Sequence, residues 1–199
     1  MSPPGALTVV KVGGGLSAVP GALDAVGAAL ARAGRRHRLL VVPGGGPFGD
    51  AVRAFEARER LSADAAHWMA ILAMDQYAHV LAERIPGAAL VEEPGAVSAA
   101  LGGMGVAVLA PYRWLRAADT LPHSWDATSD SVAAFVAGAL DAARLVLVKP
   151  VTGGRAEEMV DRCFGSVLPA GLSWWVLGWE QVGELDGDLA RREPSSESS

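Results

Sequence analysis

Two short apolar runs that each break off in three consecutive glycines constrain this chain more than any other feature. Leu7-Thr-Val-Val-Lys-Val12 ends in Gly13-Gly14-Gly15, and Arg38-Leu-Leu-Val-Val42 ends in Pro43 and then Gly44-Gly45-Gly46. Runs this rich in valine and leucine, without polar alternation, are strands buried on both faces, the condition of a parallel sheet covered by helices. Helical segments lie between them. Leu23, Val26, Ala29, Leu30 and Ala33 share one face over residues 20–34, with Gly34 as the stop. Pro47 opens a second helix reaching about Arg60. Ser62 or Asp64 caps a long third helix that ends near Pro86. Residues 88–91, 106–109, 145–148 and 174–177 are further strands, with Gly102-Gly103 loosening the segment before the second of these. Residues 131–142 and 180–189 are further helices. Strands joined by helical crossovers predict a three-layer α/β/α sandwich with a mostly parallel central sheet. One domain spans residues 1–190, and the polar end, 191–199, reads as a disordered tail.

Charge and cysteine usage exclude several function classes. The formal net charge is −5 and there is no basic stripe, which argues against nucleic acid and anionic membranes as partners. The basic cluster at 35–38 reads as a solvated helix end. Cys163 is the only cysteine, so an internal disulfide and a cysteine-based zinc cluster are excluded. The N-terminus has no basic signal region, and the apolar segments are too short and too often broken by glycine to span a bilayer, so the expected location is the cytoplasm. His67 and His79, twelve positions apart on the long helix, lack metal-ligand spacing and read as surface or interface residues.

Glycine loops at strand ends present backbone N–H groups and a helix N-terminus to anions, usually phosphates, at the carboxyl edge of a parallel sheet. Lys11 lies in a buried strand just before the first triplet, where an ammonium needs something negative at the strand end. A second polar concentration follows at Leu121-Pro-His-Ser-Trp-Asp-Ala-Thr-Ser-Asp-Ser131, ahead of an apolar helix. One of Thr128, Ser129 and Asp130 suffices as a cap, which leaves His123, Trp125 and Asp126 unexplained and marks the stretch as a functional centre. A Walker motif is absent. The dinucleotide fingerprint is formally present twice, at residues 13–18 and 44–49, without the acidic residue at the end of the following strand. Arg35 and Arg36 suit a 2′-phosphate, so dinucleotide binding stands as one alternative.

Taken in order, Lys11-Val-Gly-Gly-Gly-Leu16, Val41-Val-Pro-Gly-Gly-Gly46, Thr128-Ser-Asp130 at the head of an alanine-rich helix, and Leu145-Val-Leu-Val148 resemble the amino acid kinase superfamily over residues 7–153. His-Ser-Trp-Asp-Ala-Thr-Ser-Asp-Ser at 123–131, with Val160-Asp-Arg-Cys-Phe164, resembles the subgroup that phosphorylates an aminomethylfuran-methyl phosphate in methanofuran-type cofactor biosynthesis. The resemblance implies a small-molecule kinase that moves the γ-phosphoryl group of ATP, with Mg2+, onto a phosphate or carboxylate. It implies that Lys11 neutralises the transferring group and that Asp130 orients lysines. The N–H groups of Gly13, Gly14, Gly15, Gly44, Gly45 and Gly46 would line the phosphate path. His123, Ser124, Trp125, Asp126, Thr128 and Ser129 would shape the acceptor pocket, with Trp125 stacking on a flat ring and Asp126 pairing with an amine. Asp75 and Gln76 stand where relatives place substrate or dimer contacts. The implied organisation is an acceptor lobe at 7–142 and a nucleotide lobe at 143–190.

The chain departs from the family pattern after residue 148. Lys149-Pro150-Val-Thr152-Gly153 replaces Thr-Asp-Val-x-Gly, and no later Gly-Thr-Gly-Gly loop with a second lysine follows, so the nucleotide lobe is abbreviated. Lys149 then stands as the second catalytic lysine, with Thr152 and Gly153 at the nucleotide. The alternative is a non-catalytic member of the fold that keeps the acceptor pocket, or binds a partner subunit, without turning over ATP. Trp68, Met69, Ile71, Leu72, Met74, Tyr77 and Leu81 exceed what one core-facing stripe needs, and relatives pair through this helix, so a homodimer is expected.

Overall fold

The computed structural model describes residues 5–102, 104–150 and 155–191. Six strands form one sheet: β1 (Leu7–Val12), β2 (Arg38–Pro43), β3 (Ala89–Val91), β4 (Gly105–Leu109), β5 (Arg144–Lys149) and β6 (Ser173–Gly178). Every pairing is parallel and the order is β3-β4-β2-β1-β5-β6. β1 therefore sits between β2 and β5, and its carboxyl end faces theirs. The chain turns to one side of β1 early and to the other side late, so a ligand crevice is expected at these three strand ends.

The four central strands, β1, β2, β4 and β5, bury both faces, which is why they read as apolar runs, while the edge strands β3 and β6 are only partly buried. One face carries Val10, Val12, Leu39, Val41, Val146 and Val148 against Val26 and Leu30 of α1 (Ala22–Ala33) and Leu185 and Leu189 of α8 (Leu185–Arg191). The other carries Val9, Leu40, Val42, Leu145 and Leu147 against Ile71 and Met74 of α3 (Ala63–Arg84) and Val132, Ala133 and Val136 of α6 (Ser129–Ala139). Each fully buried valine or leucine contributes about 1.5–3 kcal/mol.

The surplus of apolar residues on the long helix has an internal explanation. The first half of α3 packs Trp68, Ile71 and Met74 into one core, and its second half packs Tyr77, Ala78 and Leu81 into the other. A single stripe could not serve both layers. Leu72 remains 41% exposed. Of the two predicted caps, Ser62 is the one used: its Oγ accepts from Ala65 N at 3.2 Å. Pro86 disfavours helical geometry at Ile85, and the helix stops there.

Two short helices lie in segments to which the sequence assigned no element, α4 (Pro94–Leu101) and α5 (Tyr112–Ala118). Asp75 explains the start of α5, since its half-buried carboxylate accepts from Tyr112 N at 2.9 Å. The predicted helix over 131–142 begins two residues earlier and ends at Ala139. The predicted terminal helix opens as a 3-10 segment, Trp179–Glu184, before α8. The tail from residue 192 on lies outside the described residues. Among the described residues no helix is long and apolar enough to cross a membrane.

Where α1 crosses the end of α3, a Cβ built on Gly27 would lie 2.2 Å from the Arg84 carbonyl oxygen. Gly27→Ala should therefore force the helices apart. The overpacking cost, net of the gain in helix propensity, is about 1–3 kcal/mol, a fall of several degrees in Tm by thermal unfolding. An unchanged Tm would show that the contact yields freely.

Candidate active site

The site is built on register. Lys11 on β1 pairs with Leu147 on β5 and shares its face of the sheet. Lys149, two residues further along β5, projects from that same face. α6 covers this face and brings Asp130, in its first turn, over the strand ends. Lys11 Nζ lies 2.9 Å from Asp130 Oδ1, and Lys149 Nζ donates to Oδ2 at 2.6 Å. The side chain of Lys11 is 6% exposed, that of Lys149 14% and that of Asp130 5%. Lys11 and Lys149 are also the only lysines in the whole chain.

One carboxylate between two ammonium groups leaves the trio with a net positive charge, and the two partners respond in different ways. Burial pushes the Asp130 carboxyl up, but Lys11 and Lys149 together more than offset this and hold it below the usual carboxylate range. Burial, reinforced by repulsion from Lys11, pushes Lys149 below the usual lysine value despite the pull of Asp130 and Asp161. Lys149 is the strained member, because it shares its counter-ion. A bound anion would relieve it.

The glycine triplets bring the two loops together. Gly13 N donates to Val148 O at 3.0 Å and Gly44 N to Val12 O at 2.8 Å, so those two amides continue the sheet ladder. Gly14, Gly15, Gly45 and Gly46 instead line a cavity of about 280 Å³. The loops touch backbone to backbone: a Cβ on Gly14 would lie 2.4 Å from Gly46 N, and one on Gly44 would lie 2.4 Å from Gly14 N. The second loop runs into α2 (Gly46–Glu59), whose first-turn amides have no intrahelical partner and favour an anion. Gly46 has φ +55°, with the Tyr77 ring packed beneath it.

The far wall of the cavity is mixed. α2 supplies Asp50, Arg53 and Glu56; α3 supplies His67, Ile71 and Met74. The loop before α6 supplies Ser124, Trp125 and Thr128, and the first residue of α6 supplies Ser129. Trp125 is fixed at its edge, where Nε1 donates to Glu56 Oε2 at 2.5 Å, and on one ring face by the Arg53 guanidinium, 4.2 Å from the centroid. His67 lines this wall rather than the outer surface. Burial and the neighbouring His123 push its pKa down to about 4, so it presents a neutral imidazole near pH 7.

Gly13, Gly44 and the Lys11–Asp130–Lys149 trio adjoin the cavity without lining it, and two further sequence candidates, His123 and Asp126, also lie off it. His123 stacks on His67 at 4.1 Å, with Nδ1 2.9 Å from Asp64 Oδ1 and Nε2 2.9 Å from Asp119 Oδ1. It buttresses the wall from behind. Asp126 is exposed and reaches Arg162 at 3.4 Å. Thr152 and Gly153 lie outside the described residues.

The cap of α6 differs from expectation. Thr128 occupies the N-cap position, but neither it, Ser129 nor Asp130 supplies the capping side chain. Asp161 does so from a later loop, accepting from Thr128 N at 2.9 Å and Ser131 N at 3.0 Å through Oδ2. Nothing local in the sequence signals a cap 33 residues away.

Fold and site together define an α/β protein in which two glycine loops meet at the carboxyl edge of a parallel sheet, next to a lysine–aspartate–lysine trio. The model of the amino acid kinase family matches residues 6–153, and the chain belongs to that family. It is 28% identical over 116 residues to [5-(aminomethyl)furan-3-yl]methyl phosphate kinase of Methanocaldococcus jannaschii. That match covers 58% of this chain and 53% of the relative, about half of the relative's length. UMP kinase of Bacillus anthracis superposes with a TM-score of 0.65 over 96% of this chain and 94% of its own, at 10% identity. Uridylate kinase of Archaeoglobus fulgidus does so at 0.57 over 74% and 64%, at 18% identity. These two structures share the fold.

Proposed function

We propose that the chain is a small-molecule phosphotransferase that passes the γ-phosphoryl group of ATP to a phosphate or carboxylate, with an aminomethylfuran phosphate as the acceptor. The observation that carries this reading is Asp130 holding both lysines of the chain beside the glycine-lined cavity. Phosphoryl transfer asks a protein mainly for positioning and for positive charge where negative charge spreads in the transition state. Lys11 and Lys149 supply that charge from two adjacent strand ends. Asp130 keeps them aligned and prevents mutual repulsion from splaying them. Gly14, Gly15, Gly45 and Gly46 allow phosphate oxygens to approach the backbone closely. Ile71, Met74 and Trp125 offer an apolar flank for a flat acceptor, and Glu56 is the acidic group beside it.

Mg2+, when bound with a nucleotide, would supply further neutralisation of phosphate charge. Both Asp130 oxygens are engaged by lysines, so this carboxylate fits the role of lysine holder and not of metal ligand. Among the described residues no group of three or more His, Cys, Asp and Glu is placed to hold a metal. The ion therefore suits arrival on the nucleotide.

One feature favours a second reading, a binding protein of the same fold without turnover. Between β5 and β6 the described residues form only a 3-10 turn, Ala156–Glu158, and the four-residue α7 (Phe164–Val167), a small platform for a nucleotide. Calorimetric titration with Mg·ATP, paired with an assay of ADP release in the presence of aminomethylfuran phosphate, separates the two. Heat and ADP release are expected. Acceptor binding without ADP release would establish the binding protein. Neither heat nor thermal shift at millimolar nucleotide would sink the kinase.

A further inference from the structure

Asp161 lies beyond the family-matched residues 6–153, on the loop that precedes α7. Its carboxylate takes five hydrogen bonds. Oδ2 accepts from Thr128 N at 2.9 Å, Thr128 Oγ1 at 2.8 Å and Ser131 N at 3.0 Å. Oδ1 accepts from Ser131 Oγ and from Phe164 N at 2.9 Å. Two residues of the same loop add to the grip: Cys163 N donates to Asp126 O at 3.1 Å, and Arg162 reaches the Asp126 carboxylate. The loop thus clasps residues 126–131 on both sides of Asp130.

A helix cap alone does not require this arrangement. Thr128 is a good N-cap residue and normally accepts from its own first turn. Here the Thr128 and Ser131 hydroxyls are both turned to donate to Asp161, so the helix forgoes a local cap for a distant carboxylate. The residues so held, 128 and 131, flank Asp130, whose two oxygens must meet two separate ammonium groups within 3 Å. A small rotation of that turn would break one contact or the other.

We infer that Asp161 is a positioning residue of the anion site, setting the first turn of α6 so that Asp130 spans Lys11 and Lys149. This deepens the phosphotransferase reading and takes its choice of ligand from it. The groups that face Lys149 are Lys11 from β1, Asp130 from α6 and Asp161 from the loop before α7. Loss of the Asp161 charge and of the Asp130 geometry should both leave the Lys149 ammonium less well compensated.

Because the chain has two lysines, protein enriched with 13C at lysine Cε gives two signals, and their titration by NMR reads each ammonium directly. In Asp161→Asn the Lys149 midpoint is expected to move to lower pH, and affinity for inorganic phosphate to fall about tenfold, as when a group that orients a ligating side chain is removed. A lower Tm with the Lys149 midpoint and the phosphate affinity unchanged would overturn the inference and leave Asp161 a structural cap. If Asp161→Asn does not fold, Asp161→Glu keeps the charge and displaces the turn. Weaker phosphate binding in that variant is then expected, and parental affinity would overturn the inference. Parent protein that neither binds phosphate nor turns over ATP would sink the phosphotransferase reading, while the lysine titration would still decide the role of Asp161.

Discussion

Asp130→Asn is expected to slow phosphotransfer by about 10²–10³ and weaken phosphate binding while the sheet and its helices persist. An amide can accept from one lysine at most and carries no charge, so Lys11 and Lys149 would repel each other across the space Asp130 occupies. Removing one preorganised element of a transition-state charge clamp typically costs 10²–10³ in rate. The cost in stability is bounded by the price of leaving a buried charge unpaired, about 3–5 kcal/mol. It falls below that bound to the extent that Lys149, 14% exposed and already below the usual lysine value, gives up its proton. The sign of the pH dependence follows from the shifts. The Asp130 carboxyl is lower in the folded state than its ordinary value of 3.8, so its stabilising effect is present above that value and is lost as pH falls through the folded one. Lys149 is also lower in the folded state, so the native protein binds that proton less tightly than the unfolded chain. That contribution opposes folding at neutral pH and fades as pH rises from the folded value towards 10.5. In Asp130→Asn the alkaline loss of phosphate binding should begin at lower pH than in the parent. Calorimetric phosphate titrations across pH, with circular dichroism as the control for folding, measure both effects. Parental phosphate affinity in the variant would remove Asp130 from the anion site.

The second large effect is expected at Gly44→Ala. A Cβ there would lie 2.4 Å from Gly14 N and 3.0 Å from Gly14 Cα, backbone atoms that no rotamer change can move aside. The two glycine loops would separate, at a cost of about 3 kcal/mol or more. Phosphate binding would go with them, since the cavity floor is made of both loops. Gly49→Ala is the matched control. It lies in α2 with nothing within 4 Å of its would-be Cβ, and alanine is the better helix former by about 1 kcal/mol. Thermal unfolding of the pair should show a fall of several degrees for Gly44→Ala and no fall for Gly49→Ala. Equal Tm values would mean that the glycines serve ligand approach alone and not the packing of one loop on the other.

The four central strands were legible because a strand buried on both faces has little use for polar residues, and runs such as Leu39-Leu-Val-Val42 admit few other readings; the partly buried edge strands β3 and β6 were legible as short apolar runs. Helices α4 and α5 escaped because each is under nine residues, too short for helical periodicity to stand out. Lys11 was legible because an ammonium in a buried strand is costly unless something compensates it, and the glycine triplets because they follow strands whose ends present backbone N–H groups; Asp130 stood out among the cap candidates only through the family resemblance. One signal was present and unused: the chain has two lysines in all, and both meet Asp130. Glu56, His67 and Asp161 were not legible as site residues. On helices and loops such side chains are ordinary surface residues, and only chain closure turns them inward.

The sequence by itself determined the parallel sheet, the glycine loops at its carboxyl edge and the polar head of α6, because each is a local matter of burial, backbone freedom and residue type. The tertiary structure alone decided how they meet. The β1–β5 register puts Lys149 on the same face as Lys11, and a carboxylate from residue 161 holds the turn that places Asp130 between them. Register and long-range hydrogen bonds depend on how distant segments fold against one another, and no local window of residues contains that information.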